Sequence, residues 1–269
     1  MLESRFTEIE GYKVHYWEAG DGFPVLMMHG VGPGTSILGN FEPVLEPLAE
    51  RYHIFATDLI GFGNSGTKRA EPYFDVDLWV RQGLVLLDQL PDGPVGVAGH
   101  SLGGALALKV AARSDRVTHV LTSSSIGTPY PLNDALDAFW SLPQDRAELR
   151  RAMENMVFDT GALTDQMIDG RWDLLMQDGY GEYFAKMFGG DRQRYIDAGI
   201  VSDEEFGDIA AKVSLIHGRD DRPCPPDQTS VRLAERLPGA TLTILDECGH
   251  NLPREKTDEY LAAAFELFG

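Results

Sequence analysis

The 269-residue sequence contains only two cysteines, Cys224 and Cys248, and neither a CxxC pair nor an HExxH motif. Two distant thiols make no disulfide framework and no close pair of metal ligands, so reduced thiols in a cytoplasmic setting are expected, with no metal site. An uninterrupted apolar stretch of membrane-spanning length is also missing, and Met1 to Glu10 is acidic and polar where a signal peptide needs an apolar run. The expectation is a soluble, unexported protein. Positive charge is scarce, because 23 Lys and Arg against 42 Asp and Glu leave a formal net charge of −19. Such a field repels phosphate backbones and anionic headgroups, which argues against a nucleic-acid partner or a membrane-surface enzyme. Repeats and low-complexity tracts are absent. At 43% hydrophobic residues, a chain of this length can bury a sizeable core as a monomer or in a homo-oligomer.

What is present is alternation. Short Val- and Ile-rich runs predict strands at Tyr12 to Glu18, Pro24 to Met28, His53 to Thr57, Val95 to Ala98, Val117 to Ser123, Val213 to His217 and Ala240 to Leu245. Apolar residues at helical spacing predict helices over Phe41 to Glu50, Val76 to Leu90, Leu102 to Arg113, Pro226 to Leu237 and Thr257 to Phe268. Strands separated by helices imply parallel crossovers and one doubly wound α/β sheet. The first two strands leave no room for a helix between them and are expected to run antiparallel. The long interval before the strand at Val213 exceeds any simple loop, and it carries Trp140, Met153, Met156, Trp172 and Phe184. It is expected to be an inserted helical lid over residues 128–205, between core segments 1–127 and 206–269.

Gly99-His100-Ser101-Leu102-Gly103 is a G-x-S-x-G motif directly after a predicted strand and directly before a predicted helix. In that context a sharp strand-to-helix turn lifts a serine hydroxyl above the sheet, and the flanking glycines remove side chains that would collide in the bend. A serine at a helix N-terminus also gains from free N–H groups as negative charge develops. Its hydroxyl needs a base to take its proton, and the base needs a carboxylate to hold it. His250, in Cys248-Gly249-His250 after the last strand, and Asp221, in Gly218-Arg219-Asp220-Asp221 after the preceding one, stand where ligands bind in open α/β sheets. The order Ser101, Asp221, His250 is the order this kind of fold requires. His15, His53 and His119 read as strand or surface residues, and His100 is placed to shape the pocket. After the strand Pro24 to Met28 comes His29-Gly30-Val31-Gly32-Pro33-Gly34, a loop able to offer the Val31 N–H beside that of Leu102 as a two-donor oxyanion hole.

One motif is a decoy. Gly61-Phe62-Gly63-Asn64-Ser65-Gly66 fits the dinucleotide pattern, but Thr67 to Pro72 follows it as a polar loop where the pattern must open a helix. No nucleotide or other cofactor is expected.

The assembled pattern resembles the α/β-hydrolases, and within them the meta-cleavage product hydrolases, which split carbon–carbon bonds in ring-opened aromatic catabolites. The likeness runs almost end to end. It includes His29 to Gly34 followed by Asn40, the segment Asp58 to Ser65, and Phe158-Asp159-Thr160-Gly161-Ala162-Leu163-Thr164-Asp165 leading to Arg171. The resemblance implies a 2-hydroxy-6-oxo-dienoate substrate, a small organic anion whose polar groups Asn40 and Arg171 would hold. A guanidinium matches a carboxylate in shape and charge, although a lone lid arginine also suits a surface ion pair. The chain departs from the family at His100, where an asparagine is usual, and at Asn251, where a tryptophan commonly packs beside the catalytic histidine. Both positions are therefore expected at the substrate. A carboxylesterase or lactonase would use the same nucleophile, base and acid on a C–O bond. A binding module that keeps the fold without turnover would not need them all.

Overall fold

The computed structural model describes residues 1–177 and 179–269. The strands are β1 (Glu3–Ile9), β2 (Tyr12–Ala19), β3 (Phe23–Met28), β4 (Tyr52–Thr57), β5 (Val95–His100), β6 (Val117–Ser123), β7 (Lys212–Gly218) and β8 (Thr241–Leu245). They form one sheet in the order β1-β2-β4-β3-β5-β6-β7-β8, parallel from β4 to β8, with β1 and β2 antiparallel at one edge.

Helices α1 (Ile37–Ala49), α2 (Val76–Leu87) and α3 (Leu102–Ala111) make the first crossovers. Six more follow β6: α4 (Asp134–Phe139), α5 (Arg146–Glu154), α6 (Asp165–Leu175), α7 (Tyr180–Met187), α8 (Gln193–Ala198) and α9 (Asp203–Asp208). The chain closes with α10 (Ser230–Arg236), α11 (Leu252–Glu255) and α12 (Thr257–Phe268). Both sheet faces are covered. Along β3, Val25 and Met27 join a buried cluster with Phe41 and Tyr260, while Leu26 and Met28 join a second with Trp79 and Leu106. This two-sided burial explains why the strand reads as a continuous apolar run.

The first two predicted strands run in opposite senses, as expected, with β4 paired between them. β1 gave no hydrophobic signal, since most of its residues face solvent on both sides of the sheet edge. The helix predicted from Phe41 begins at Ile37, where the Ser36 side chain accepts the Gly39 N–H at 3.2 Å. The Gly61 to Gly66 loop folds back on itself through Gly61 N–H to the Gly66 carbonyl at 2.9 Å, and the next helix starts only at Val76.

Candidate active site

The carboxyl ends of β3, β5, β7 and β8 converge, and each delivers one part of the site. After β5 the chain turns into α3 at Ser101, whose φ of 57° and ψ of −124° are strained for a side-chain-bearing residue. Tight packing enforces the bend. A Cβ on Gly99 would lie 2.1 Å from the Gly103 carbonyl oxygen, and one on Gly103 would lie 2.2 Å from that of Met28.

The three side chains predicted to act together meet. His250 Nδ1 donates to Asp221 Oδ2 at 2.7 Å, and His250 Nε2 lies 2.9 Å from Ser101 Oγ. A carboxylate only accepts, so Nδ1 carries a ring proton, and in the neutral form of the imidazole Nε2 is the atom that accepts the serine hydroxyl. Asp221 Oδ1 accepts the Cys224 N–H at 2.8 Å. Burial alone would raise the Asp221 pKa, but the nearby His250 and the hydrogen bonds from His217 and His250 hold the carboxyl well below its usual range. For His250 burial works in the lowering direction, and the Asp221 charge with its hydrogen bond reverses that. The proton affinity of the His250 ring is thus set by the neighbouring carboxylate.

The loop after β3 packs against Ser101, so that a Cβ on Gly30 would come within 2.8 Å of Ser101 Cβ. Two side chains clamp Gly30. Asn40 Oδ1 accepts its N–H at 3.0 Å, and His29 Nδ1 donates to its carbonyl at 2.5 Å. In a trans peptide the next N–H points opposite that carbonyl, so the His29 contact fixes the direction of the Val31 N–H. Among the described residues, neither Val31 N–H nor Leu102 N–H has a hydrogen-bond acceptor. His29 Nε2 accepts the Leu59 N–H at 3.0 Å, and burial lowers its pKa, which keeps the ring neutral in this tautomer.

These groups open on a small cavity lined by Ser101, His250, Asn40, His100, Arg171 and Asn251, with Phe139, Met153 and Met156 from the inserted segment. A second, wider pocket open to solvent shares Met153, Arg171 and Asn251 as a wall. Arg171 is buried, and its Nη1 donates to the Pro33 carbonyl at 3.1 Å and Thr35 Oγ1 at 2.9 Å. No carboxylate among the described residues reaches it within 4.0 Å, so the surface ion pair does not form. Burial, with a smaller push from Arg254, lowers its pKa to about 10, and it remains a cation at neutral pH. His100 donates or accepts through Nδ1 at Ser123 Oγ, 3.1 Å away, and its ring centre is 5.0 Å from that of His250. Burial, then the proximity of His250, pushes its pKa well down, so it serves as a neutral ring. The Asn251 N–H reaches the Met156 carbonyl at 3.0 Å, as the His250 N–H does at 2.8 Å, which ties the base's loop to the inserted segment.

Three further side chains support these groups from behind. Asp58 accepts from His15 Nδ1 at 2.8 Å, the Ile37 N–H at 2.7 Å and the Asn64 N–H at 3.0 Å, and so anchors the start of the helix that carries Asn40. His15 is thus a buried partner of Asp58, while His53 pairs with Glu18 at the surface at 2.9 Å. Glu255 accepts the N–H groups of Phe158, Gly249 and Asn251 around the base's loop. His217 contacts Asp221 from behind. Asp221, Cys224 and His250 bring potential metal-ligand atoms within 4.8 Å of one another, but the carboxylate and His250 Nδ1 there are engaged with each other.

Comparison with known proteins bears on this geometry. The model of the Alpha/beta hydrolase family matches residues 25–264. The chain belongs to that family. Among relatives of this α/β-hydrolase, 2-hydroxymuconate semialdehyde hydrolase of Pseudomonas sp. (strain CF600) is 33% identical over 241 residues, 89% of this chain and 84% of the relative. The 2-hydroxy-6-oxo-2,4-heptadienoate hydrolase of Pseudomonas putida is also 33% identical, over 89% of this chain and 87% of its own. The solved structure of a meta-cleavage product hydrolase from Pseudomonas fluorescens IP01 matches with a TM-score of 0.90 at 31% identity, over 97% of each chain. The doubly wound sheet predicted from strand and helix spacing, and the α/β-hydrolase fold that the resemblance implied, are thereby shown. No helix among the described residues is long and apolar enough to cross a membrane.

Proposed function

We propose that this α/β-hydrolase cleaves the carbon–carbon bond between C5 and C6 of a 2-hydroxy-6-oxo-dienoate, with Ser101 as nucleophile, His250 as base and Asp221 as its orienting acid. The observation that carries the reading is Arg171, a buried cation on the wall of the nucleophile's cavity with no carboxylate partner among the described residues. A buried charge without a counterion is costly, and an anionic substrate supplies the counterion.

The substrate's C1 carboxylate lies against Arg171, and Asn40 and His100 face its C2 oxygen. Ketonisation places a proton on C5 and makes the C5–C6 bond that of a diketone. His250 Nε2 takes the Ser101 proton as Oγ bonds to C6, and the C6 oxygen becomes an anion held by the Val31 and Leu102 N–H groups. The C5–C6 bond then breaks, its electron pair forms the dienolate, and His250 returns the proton to that fragment. Water, activated by the same imidazole, hydrolyses the acyl-serine and releases the carboxylic acid. No cofactor enters this sequence. The helices between Asp134 and Asp208 act as a lid, with Phe139, Met153 and Met156 against the C6 end and Asn251 beside the carboxylate. Both cysteines are buried free thiols, which suits a reducing cytoplasm.

The test is initial rates on a coloured 2-hydroxy-6-oxo-hexa-2,4-dienoate beside a p-nitrophenyl ester, followed by loss of dienolate absorbance and release of nitrophenolate. A higher kcat/KM on the dienoate is expected. Ester turnover with an inert dienoate would replace the reading by a carboxylesterase, and inertness to both and to a fluorophosphonate would leave only a binding module.

A further inference from the structure

Asp221 is gripped by two imidazoles. His217, at the end of β7, is buried, and its Nε2 lies 2.9 Å from Asp221 Oδ2 and 2.8 Å from the Cys224 carbonyl oxygen. Both facing atoms only accept hydrogen bonds, so His217 Nε2 carries a proton. Its other nitrogen lies 2.6 Å from Ser230 Oγ at the start of α10, which fixes the rotation of the ring. Oδ2 is also the oxygen that accepts His250 Nδ1–H at 2.7 Å.

We propose that His217 is a positioning residue for the reaction: its Nε2–H locks the Asp221 carboxylate in plane with His250 and takes up part of the charge on Oδ2. A carboxylate oxygen with a second donor is a weaker base toward the first. The pull of Asp221 on the His250 proton is thereby reduced, which favours the neutral imidazole that can accept the Ser101 proton. The titratable groups facing the pair from other elements are His100 in β5, Tyr130 after β6, Cys224 and Cys248 in the loops beyond β7 and β8, and Glu255 in α11. Among the described residues only His217 shares Oδ2 with His250. His217 does not line the substrate cavity, so its effect belongs in kcat and in the pH profile, not in KM.

The inference rests on the Ser101–His250–Asp221 reading above, and the full-length enzyme tests it with paired variants. In His217→Gln the amide nitrogen occupies the place of Nε2 and can donate to Oδ2, whereas in His217→Asn it occupies the place of Nδ1 and cannot. His217→Asn is expected to lower kcat roughly tenfold with KM within about twofold, as the loss of one hydrogen bond to a charged group implies. Its acid limb of kcat/KM moves to higher pH. His217→Gln stays within about threefold of the parent, with the limb unmoved. Ser230→Ala, which leaves the imidazole but frees it to turn, lowers kcat in the same direction and decides the matter should His217→Asn not fold. Parental kcat and pH limb in His217→Asn, equal losses in Asn and Gln, or a change confined to KM would each overturn the assignment, as would parental kcat in Ser230→Ala where that variant decides. Turnover by Ser101→Ala would instead overturn the underlying reading; an inactive Ser101→Ala beside a parental His217→Asn removes only the part given to His217.

Discussion

Replacing Arg171 by methionine separates a ligand-binding arginine from a structural one. The guanidinium is buried, and its pKa falls from the ordinary guanidinium value to about 10 because burial penalises the charge. At neutral pH that depression costs the fold about 3 kcal/mol. The sign follows from linkage: a cation with a depressed folded-state pKa destabilises the fold below that pKa, and the cost is relieved only as pH rises above about 10. Against it stand the Nη1 hydrogen bonds to the Pro33 carbonyl and Thr35 Oγ1, each worth about 1.5–3 kcal/mol when made by a charged donor. The two sides nearly cancel, and methionine fills the volume. Arg171→Met should therefore melt within about 5 °C of the parent. Catalysis should respond otherwise, because removing one partner of a buried charge pair costs about 2–5 kcal/mol, a loss of roughly thirtyfold or more in kcat/KM for the dienoate. The neutral p-nitrophenyl ester should lose less than about threefold, since it offers no carboxylate. Parallel rate measurements on both substrates, with calorimetry on the same preparations, check this. Equal losses on the two substrates, or a large fall in melting temperature, would refute the carboxylate clamp.

Asp221→Asn should lower kcat on the order of 10⁴-fold. Its residual acid limb should move to lower pH, because the charge that raises His250 is gone, and a kcat/KM profile against pH reads both. Asn40→Ala releases the Gly30 N–H and so loosens the loop that presents Val31; kcat should fall about tenfold to a hundredfold on dienoate and ester alike, since both pass through an oxyanion. Gly103→Ala places a methyl 2.2 Å from the Met28 carbonyl oxygen and 2.6 Å from that of His29, so it should cost at least about 3 kcal/mol and show as a lower melting temperature or insoluble protein.

Much of the setting of Ser101 was legible because it is local. Gly99, Ser101 and Gly103 lie within five positions, and the bend they make needs small residues at those positions whatever surrounds it. Asp221 and His250 were legible from chain order, since parallel strands deliver the residues after their carboxyl ends to one edge of the sheet. β1 escaped because an edge strand wetted on both faces carries no alternation of apolar residues.

His217 and His29 escaped for a different reason. In the sequence they are histidines at the end of a strand and just past one, no different in kind from His53, which pairs with Glu18 at the surface. Their roles depend on which acceptors stand within 3 Å, and these, the Gly30 carbonyl for His29 and Asp221 and the Cys224 carbonyl for His217, are near in the chain but are turned onto the ring only by the folded shape of the loop that follows each strand. Arg171 shows the division most sharply. Residue order and spacing were enough to place a cation in the inserted segment, along with the alternating strands and the strained serine turn. Its burial, the lack of a carboxylate to answer it among the described residues, and its place on the same cavity as Ser101 came from packing. Burial and pairing are relations between segments far apart in the chain, and spacing along the chain does not encode them.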